Sequence, residues 1–257
     1  MLLHNCEMMG NFSSDNYVLE ITGDLLSKRI KVGSSNYLVN KETLLDTKMT
    51  VDVKNNTYSF KEGKVVIDKN TFALNGSINL SGEDYYDLSV VGEKINLEGL
   101  LLLLPGSVSS NLSVLKSKGN INFSSTIKGN YTKTKTPAIN LKFDVKNGNI
   151  AHEKFGGEIR SINFSGTYSN GEQHNASSSY ISVKDFSAKQ GSNPVTMKLE
   201  YRNFKNPTID MQLDGNFPAS IIIPLAIPNA TDVEGEIALN NINILSLIHI
   251  SEPTRPY

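Results

Sequence analysis

Two-residue alternation of apolar and polar side chains is the feature that most restricts what this chain can become. In INLKFDVKNGNI, Ile139, Leu141, Phe143 and Val145 alternate with Asn140, Lys142, Asp144 and Lys146. In NPVTMKLEY, Val195, Met197, Leu199 and Tyr201 alternate with Thr196, Lys198 and Glu200. The same rhythm runs through Met49, Val51 and Val53, through Ile121 and Phe123, through Ile162 and Phe164, and through Ile209, Met211 and Leu213. Successive side chains of a strand point to opposite faces, so each segment would present one apolar and one wet face, the pattern of antiparallel sheets. Between the strands, KNNT, KEG, LNGS, KNGN, SNGE and KQGSN supply Asn and Gly that accept positive φ, and these are read as turns. The count is about a dozen strands joined mostly by short loops. The expected fold class is all-β, mainly antiparallel.

Composition agrees and narrows the functions. The 257 residues suffice for one large β domain or two ordinary ones, and only 39% are hydrophobic and 20% charged. Asn, Ser, Thr and Gly fill the balance, which suits exposed strands and turns. A net charge of −1 with no basic stripe speaks against nucleic-acid binding. The single cysteine, Cys6, rules out an internal disulfide. The opening MLLHNCEMMGN has neither a basic leader nor an apolar core, so no signal peptide is read there. The longest apolar run, Leu100–Leu104, is far short of the ~20 residues of a membrane span.

Two segments break the alternation, and they resemble each other. DLSVVGEKINLEGLLLLLP starts at Asp87 and DMQLDGNFPASIIIPLAIP at Asp210; each carries a Gly, an apolar run and a closing Pro at matching offsets. A Gly-led strand follows both, GNINF from Gly119 and GEIAL from Gly235, and VDVKN at 51–55 matches FDVKN at 143–147. This is a degenerate internal repeat, approximately 45–131 and 137–244, of the kind that stacks into an elongated core. The runs are read as short helical plugs over one end or edge of the sheet, the first made by Leu100, Leu101, Leu102, Leu103, Leu104 and Pro105. Ordinary core helices remain the equal alternative, and Ile221–Ile223 with Pro224 make helix less secure in the second.

The closing LSLIHISEPTRPY, 245–257, follows a β-like stretch without a turn signal. Residues 245–255 resemble the translation of a sequencing-library adaptor, so 245–257 is set aside from fold reasoning, and 1–244 is read as part of a longer protein.

Catalytic chemistry has no foothold. His4, His152 and His174 lack partners at metal-ligand spacing, His249 falls in the set-aside segment, and Cys6 has no nearby histidine. There is no GxSxG, P-loop or GxGxxG. The chain is therefore expected not to be an enzyme, with no cofactor and no metal site. What remains is apolar area on one side of a long sheet, to be covered by another layer, closed into a sandwich or barrel, or left as a groove.

The order of INLEGLLLLLP, KSKGNINFSSTIKGNY, TPAINLKFDVKNGNI and IRSINFSGTYSNG resembles AsmA-type bacterial envelope proteins, related to the TamB-like group, over roughly residues 45–240. The resemblance implies an elongated, twisted sheet forming a half-open groove with one or two short helical plugs. It implies a periplasmic location, with an inner-membrane anchor outside this chain. It also implies binding of phospholipid acyl chains in support of inner-to-outer-membrane lipid transport or outer-membrane assembly. The groove lining would be Ile121, Phe123, Ile139, Leu141, Phe143, Val145, Ile162, Phe164, Val195, Met197, Leu199, Ile209, Met211 and Leu213. The alternative reading is a structural or adhesive β-repeat at the cell surface with no lipid ligand.

Overall fold

A computed structural model describes residues 2–28, 30–32, 35–37, 40–96, 116–152, 157–219 and 234–247. Its strands are β1 (Leu2–Phe12), β2 (Asn16–Ser27), β3 (Ile30–Val32), β4 (Ser35–Tyr37), β5 (Lys41–Asp52), β6 (Thr57–Ile67), β7 (Asn70–Asn79) and β8 (Asp84–Asn96). They continue with β9 (Lys116–Tyr131), β10 (Ala138–His152), β11 (Gly157–Ser169), β12 (Tyr180–Gln190), β13 (Asn193–Arg202), β14 (Thr208–Pro218) and β15 (Glu236–Leu247). All but β3 and β4, which pair with each other as a small hairpin, join one 13-stranded sheet in the order of the chain. Every pairing is antiparallel, so the sheet is a single meander, as the alternation demands. It is open: β1 and β15 are its two edges, and apart from the β3–β4 hairpin the described strands form no barrel or further sheet. At ~4.8 Å per strand the 13 strands extend roughly 58 Å along the hydrogen-bonding direction.

The meander gives the sheet two unlike ends. The near end carries the compact turns 13–15, 53–56, 80–83, 132–137, 170–179 and 203–207. The far end carries the short turns 68–69 and 191–192, and there β2, β8, β10 and β14 end and β5, β9, β11 and β15 begin. Both apolar runs named above thus leave from and return to the same end. The proposed plug itself, Leu100 to Pro105, lies outside the described residues, as does 220–233.

Near-end turns are stapled to their neighbours but one. The Asn56 amide group donates to the Leu80 carbonyl at 2.9 Å and accepts in turn through its backbone, the Leu80 N–H donating to Asn56 O at 2.9 Å. Buried Asn170 accepts from the Ile139 N–H at 2.8 Å and donates to Pro137 O at 2.8 Å. His174 Nδ1 lies 3.0 Å from Thr136 O, which makes the Nδ1–H tautomer the donor.

Several segments read as turns are interior to strands. KNNT, SNGE and KQGSN do reverse the chain, but KEG (61–63) lies inside β6, LNGS (74–77) inside β7 and KNGN (146–149) inside β10. Positive φ serves β-bulges as well as turns, and here it makes bulges: the register slips at Phe60/Gly63, Gly92/Ile95, Val145/Gly148 and Val183/Phe186. Each of these slips contains a left-handed non-glycine residue, Glu62 (φ 54°), Lys94 (φ 52°), Asn147 (φ 51°) and Asp185 (φ 50°), and Ser161 (φ 53°) marks a fifth in β11. Val53, read as the end of an alternating strand, falls in the turn after β5 and is 49% exposed.

Four of these strained positions share one device. An asparagine on the neighbouring strand points its Oδ1 at the N–H of the left-handed residue: Asn75 to Glu62 at 2.9 Å, Asn122 to Lys94 at 2.8 Å, Asn163 to Asn147 at 3.0 Å and Asn149 to Ser161 at 3.2 Å. A left-handed conformation costs an L-residue about 1–2 kcal/mol, and the asparagine offsets this by replacing the ladder bond that the bulge interrupts. Bulges sharpen right-handed twist, so their recurrence along the sheet drives the coiling of a long open meander.

Candidate functional site

The register puts the whole apolar set on one face. Val145 stands opposite Ile121 and Phe164, Phe143 opposite Phe123, Ile139 opposite Ile127 and Gly148 opposite Ile162. Farther along, Val195 meets Ala188, Met197 meets Leu213, Leu199 meets Val183 and Met211, and Tyr201 meets Ile209. Ile121, Phe123, Ile139, Leu141, Phe143, Val145, Ile162, Phe164, Val195, Met197, Leu199, Ile209, Met211 and Leu213 therefore share a surface, although bulges shift the sequence phase between them.

That surface extends beyond those residues. Leu19, Leu25, Val51, Ile67, Phe72 and Ile95 continue it through β2 to β8, and Val183 and Ala188 through β12. The shorter apolar stretches and bulges of β6 to β8 hid this half. Its signal was Phe72, Leu74 and Ile78 in β7, in which Gly76 takes one apolar position.

Phenylalanines form a ridge along the middle. Phe72 and Phe123 have ring centroids 5.8 Å apart, Phe143 and Phe164 meet edge-on at 6.1 Å, and Phe164 and Phe186 lie 5.8 Å apart. Glycines make room for it. A Cβ on Gly92 would sit 2.5 Å from the Phe123 ring, and one on Gly166 would sit 2.5 Å from the Phe143 ring. Each ring lies over the glycine directly opposite on the adjacent strand, covering backbone that would otherwise be wet. Aromatic pairs of this kind contribute about 0.5–1.5 kcal/mol beyond their buried area.

Burial across the face is graded. From β6 to β13 the residues toward the far end are buried, Ile95 at 1%, Val145 at 2% and Ile162 at 3% exposure. Toward the near end the corresponding row, Ile78, Tyr86, Ile127, Ile139, Tyr168, Ile181 and Tyr201, is only half-buried. Burial beside Asp84 and Tyr131 pushes the Tyr86 phenol above its ordinary range. Small buried polar groups, Thr43, Asn70, Ser117 and Gln190, trim the far end.

The reverse face is solvated. Lys48 pairs with Glu20 at 2.7 Å, Lys128 with Asp87 at 2.8 Å and Lys135 with Glu83 at 2.9 Å, all with both partners exposed. Such pairs are worth at most about 1 kcal/mol each, and they mark the wet side. Shallow depressions open on this face, one of about 440 Å³ between Asn122, Asp144, Lys142 and Lys184. Of the predicted lining, Phe123 and Phe143 border this depression, and Met197 and Leu213 border another. Among the described residues no cluster of His, Cys, Asp and Glu has the makings of a metal site, and no helix is long and apolar enough to cross a membrane. No protein-family model, curated protein or solved structure matches this chain.

Proposed function

We propose that this chain is a lipid-binding segment of a bridge-like bacterial envelope protein, whose apolar face solvates phospholipid acyl chains between the inner and outer membranes. The observation that carries the reading is an apolar face continuous across an open sheet, with a phenylalanine ridge along it and, apart from the two-stranded β3–β4 hairpin, no second sheet among the described strands. The AsmA-type order of motifs supports the same reading and carries with it a periplasmic location and an inner-membrane anchor outside this chain. The role is physical: side chains replace water around hydrocarbon, with no bond made or broken.

The magnitudes suit a conduit. Each buried methylene contributes ~0.8 kcal/mol, so enclosing a whole acyl chain would exceed ~10 kcal/mol and hold it fast. A face open on one side recovers only part of this, which retains lipid without trapping it. A surface adhesive repeat is the competing class; a packed two-sheet core would favour it, and the described strands form one large sheet and a two-stranded hairpin.

The test is native mass spectrometry of the chain purified from a Gram-negative host. Co-purified phospholipid, released by organic extraction and lost in a Leu141→Asp variant that retains its β circular-dichroism spectrum, is the expected result. A lipid-free chain that also fails to take up phospholipid from vesicles refutes the proposal.

A further inference from the structure

We infer that the apolar face holds a phospholipid in one polarity, with its phosphate-bearing head at the near end among tyrosines and its acyl chain directed toward the far end. The inference rests on the lipid-binding reading above and adds a direction to it.

The carrying observation is the placement of the tyrosines. Tyr17, Tyr58, Tyr86, Tyr131, Tyr168 and Tyr201 belong to six different strands, and all stand on the apolar face at the near end. Tyr85 and Tyr180 also lie at the near end, on the reverse face. None of the described strands of the large sheet carries a tyrosine at its far end. Nothing in β propensity favours one end of a strand over the other; Phe123, Phe143, Phe164 and Phe186 stand in the middle of the face, and Phe12 and Phe204 pack on the tyrosines at the near end. Tyr86 and Tyr131 meet edge-on at 6.1 Å, and Tyr201 meets Phe204 at 5.1 Å, so the rim is made of packed pairs.

A phenol has an apolar ring and a hydrogen-bonding tip, and it is stable where hydrocarbon gives way to water. The near-end row of the face interleaves these phenols with aliphatic side chains such as Ile78, Ile181 and Ile209, and phenyl rings follow in the middle, as at an interface that leads into a hydrocarbon layer. Exposure runs the same way. Tyr131 is 47% exposed and the near-end row of the face is half-buried, whereas Ile95, Val145 and Ile162 toward the far end are 1%, 2% and 3% exposed. Length fits as well. From Tyr86 to the half-buried ridge at the level of Gly92 and Phe123, β8 spans roughly 20 Å at ~3.3 Å per residue, against the ~15 Å depth of one bilayer leaflet.

The chain contains no tryptophan, so tyrosine is its fluorophore. The full chain with Tyr37→Phe and Tyr257→Phe retains fluorescent side chains only at the near end. It is titrated with phosphatidylcholine carrying a nitroxide on the head group, and in parallel with phosphatidylcholine carrying it at the acyl terminus. Electron paramagnetic resonance of the same samples reports whether each probe is immobilised. The expected result is severalfold stronger quenching of tyrosine emission by the head-group label at equal immobilisation. Equal quenching, or stronger quenching by the terminal label, overturns the polarity while leaving lipid binding standing. Freely tumbling spectra for both probes overturn the lipid-binding reading and the inference with it.

Discussion

Replacing Asn122 by alanine tests whether the neighbouring-strand asparagines hold the bulges. Asn122 Oδ1 accepts the Lys94 N–H at 2.8 Å, and its Nδ2 donates to Asp144 Oδ2 at 2.9 Å. Asn122→Ala removes both. The bond from the strained backbone contributes about 0.5–1.5 kcal/mol net, and the half-exposed bond to the carboxylate about 1 kcal/mol after solvent screening. The expected loss is about 1.5–2.5 kcal/mol. If local opening bears it, the Lys94 amide should exchange about tenfold faster or more, since ~1.4 kcal/mol is a decade.

Asn122→Asp separates the two bonds. Its carboxylate still accepts the Lys94 N–H, so protection of that amide persists, but it faces the Asp144 carboxylate at hydrogen-bond distance. The variant should lose global stability at neutral pH and recover it as acidification lets the pair share a proton. Lys94→Gly relieves a left-handed lysine and should be neutral or stabilising, because only the strain is removed. Amide exchange resolved to Lys94, with urea unfolding alongside, reads all of these. An unchanged Lys94 amide in Asn122→Ala, or equal deprotection in Asn122→Asp, refutes the clamp.

Three further outcomes follow from the geometry. Gly76→Ala should destabilise by more than about 3 kcal/mol, since φ is +121° and the new Cβ would lie 2.0 Å from the Asp87 carbonyl oxygen, a fixed backbone atom; a normal urea midpoint would contradict this. Val145→Asp, at 2% exposure, should abolish folding, whereas Leu141→Asp, half-buried on the same strand, should fold and lose lipid; circular dichroism of both variants separates them. Asn55 donates to Asp52 from its backbone at 3.0 Å and its side chain at 2.7 Å, holding that carboxyl below its usual range. A lowered folded pKa adds stability above the unfolded value near pH ~4 that is lost as pH falls through the folded one, so the 53–56 turn should loosen only below about pH 4; an Asn55 amide resonance that shifts at higher pH would contradict it.

The strands were legible in the sequence because one face is wet, and Ile139 to Val145 or Val195 to Tyr201 can alternate only as half-solvated strands. The bulges were not, for a physical reason. Their left-handed residues include Glu62, Lys94 and Ser161, side chains with no particular taste for that conformation. The conformation is imposed by an asparagine on another strand, a contact that local pattern does not contain. For the same reason KEG, LNGS and KNGN look like turns when read alone. The lining residues were legible individually but their common face was not, since each bulge inverts the phase on one strand and only pairing restores it. The rim escaped notice because Tyr86, Tyr131 and Tyr168 have no shared spacing in sequence; the meander alone brings them to one end.

A single-layer sheet has no second sheet to fix its shape, so its shape must come from sideways contacts. Here each contact is between strands adjacent or next but one: asparagine to bulge, phenylalanine over the facing glycine, turn stapled to turn. Stability is then nearly a sum of strand-to-strand interfaces, as in a solenoid. Such a sheet bears the addition of a strand without rearranging the others, so its length can be set by a distance to be spanned rather than by a core to be filled. The apolar face is built in the same increments: the tyrosines of its near-end rim come from six strands and the phenylalanines of its ridge from five.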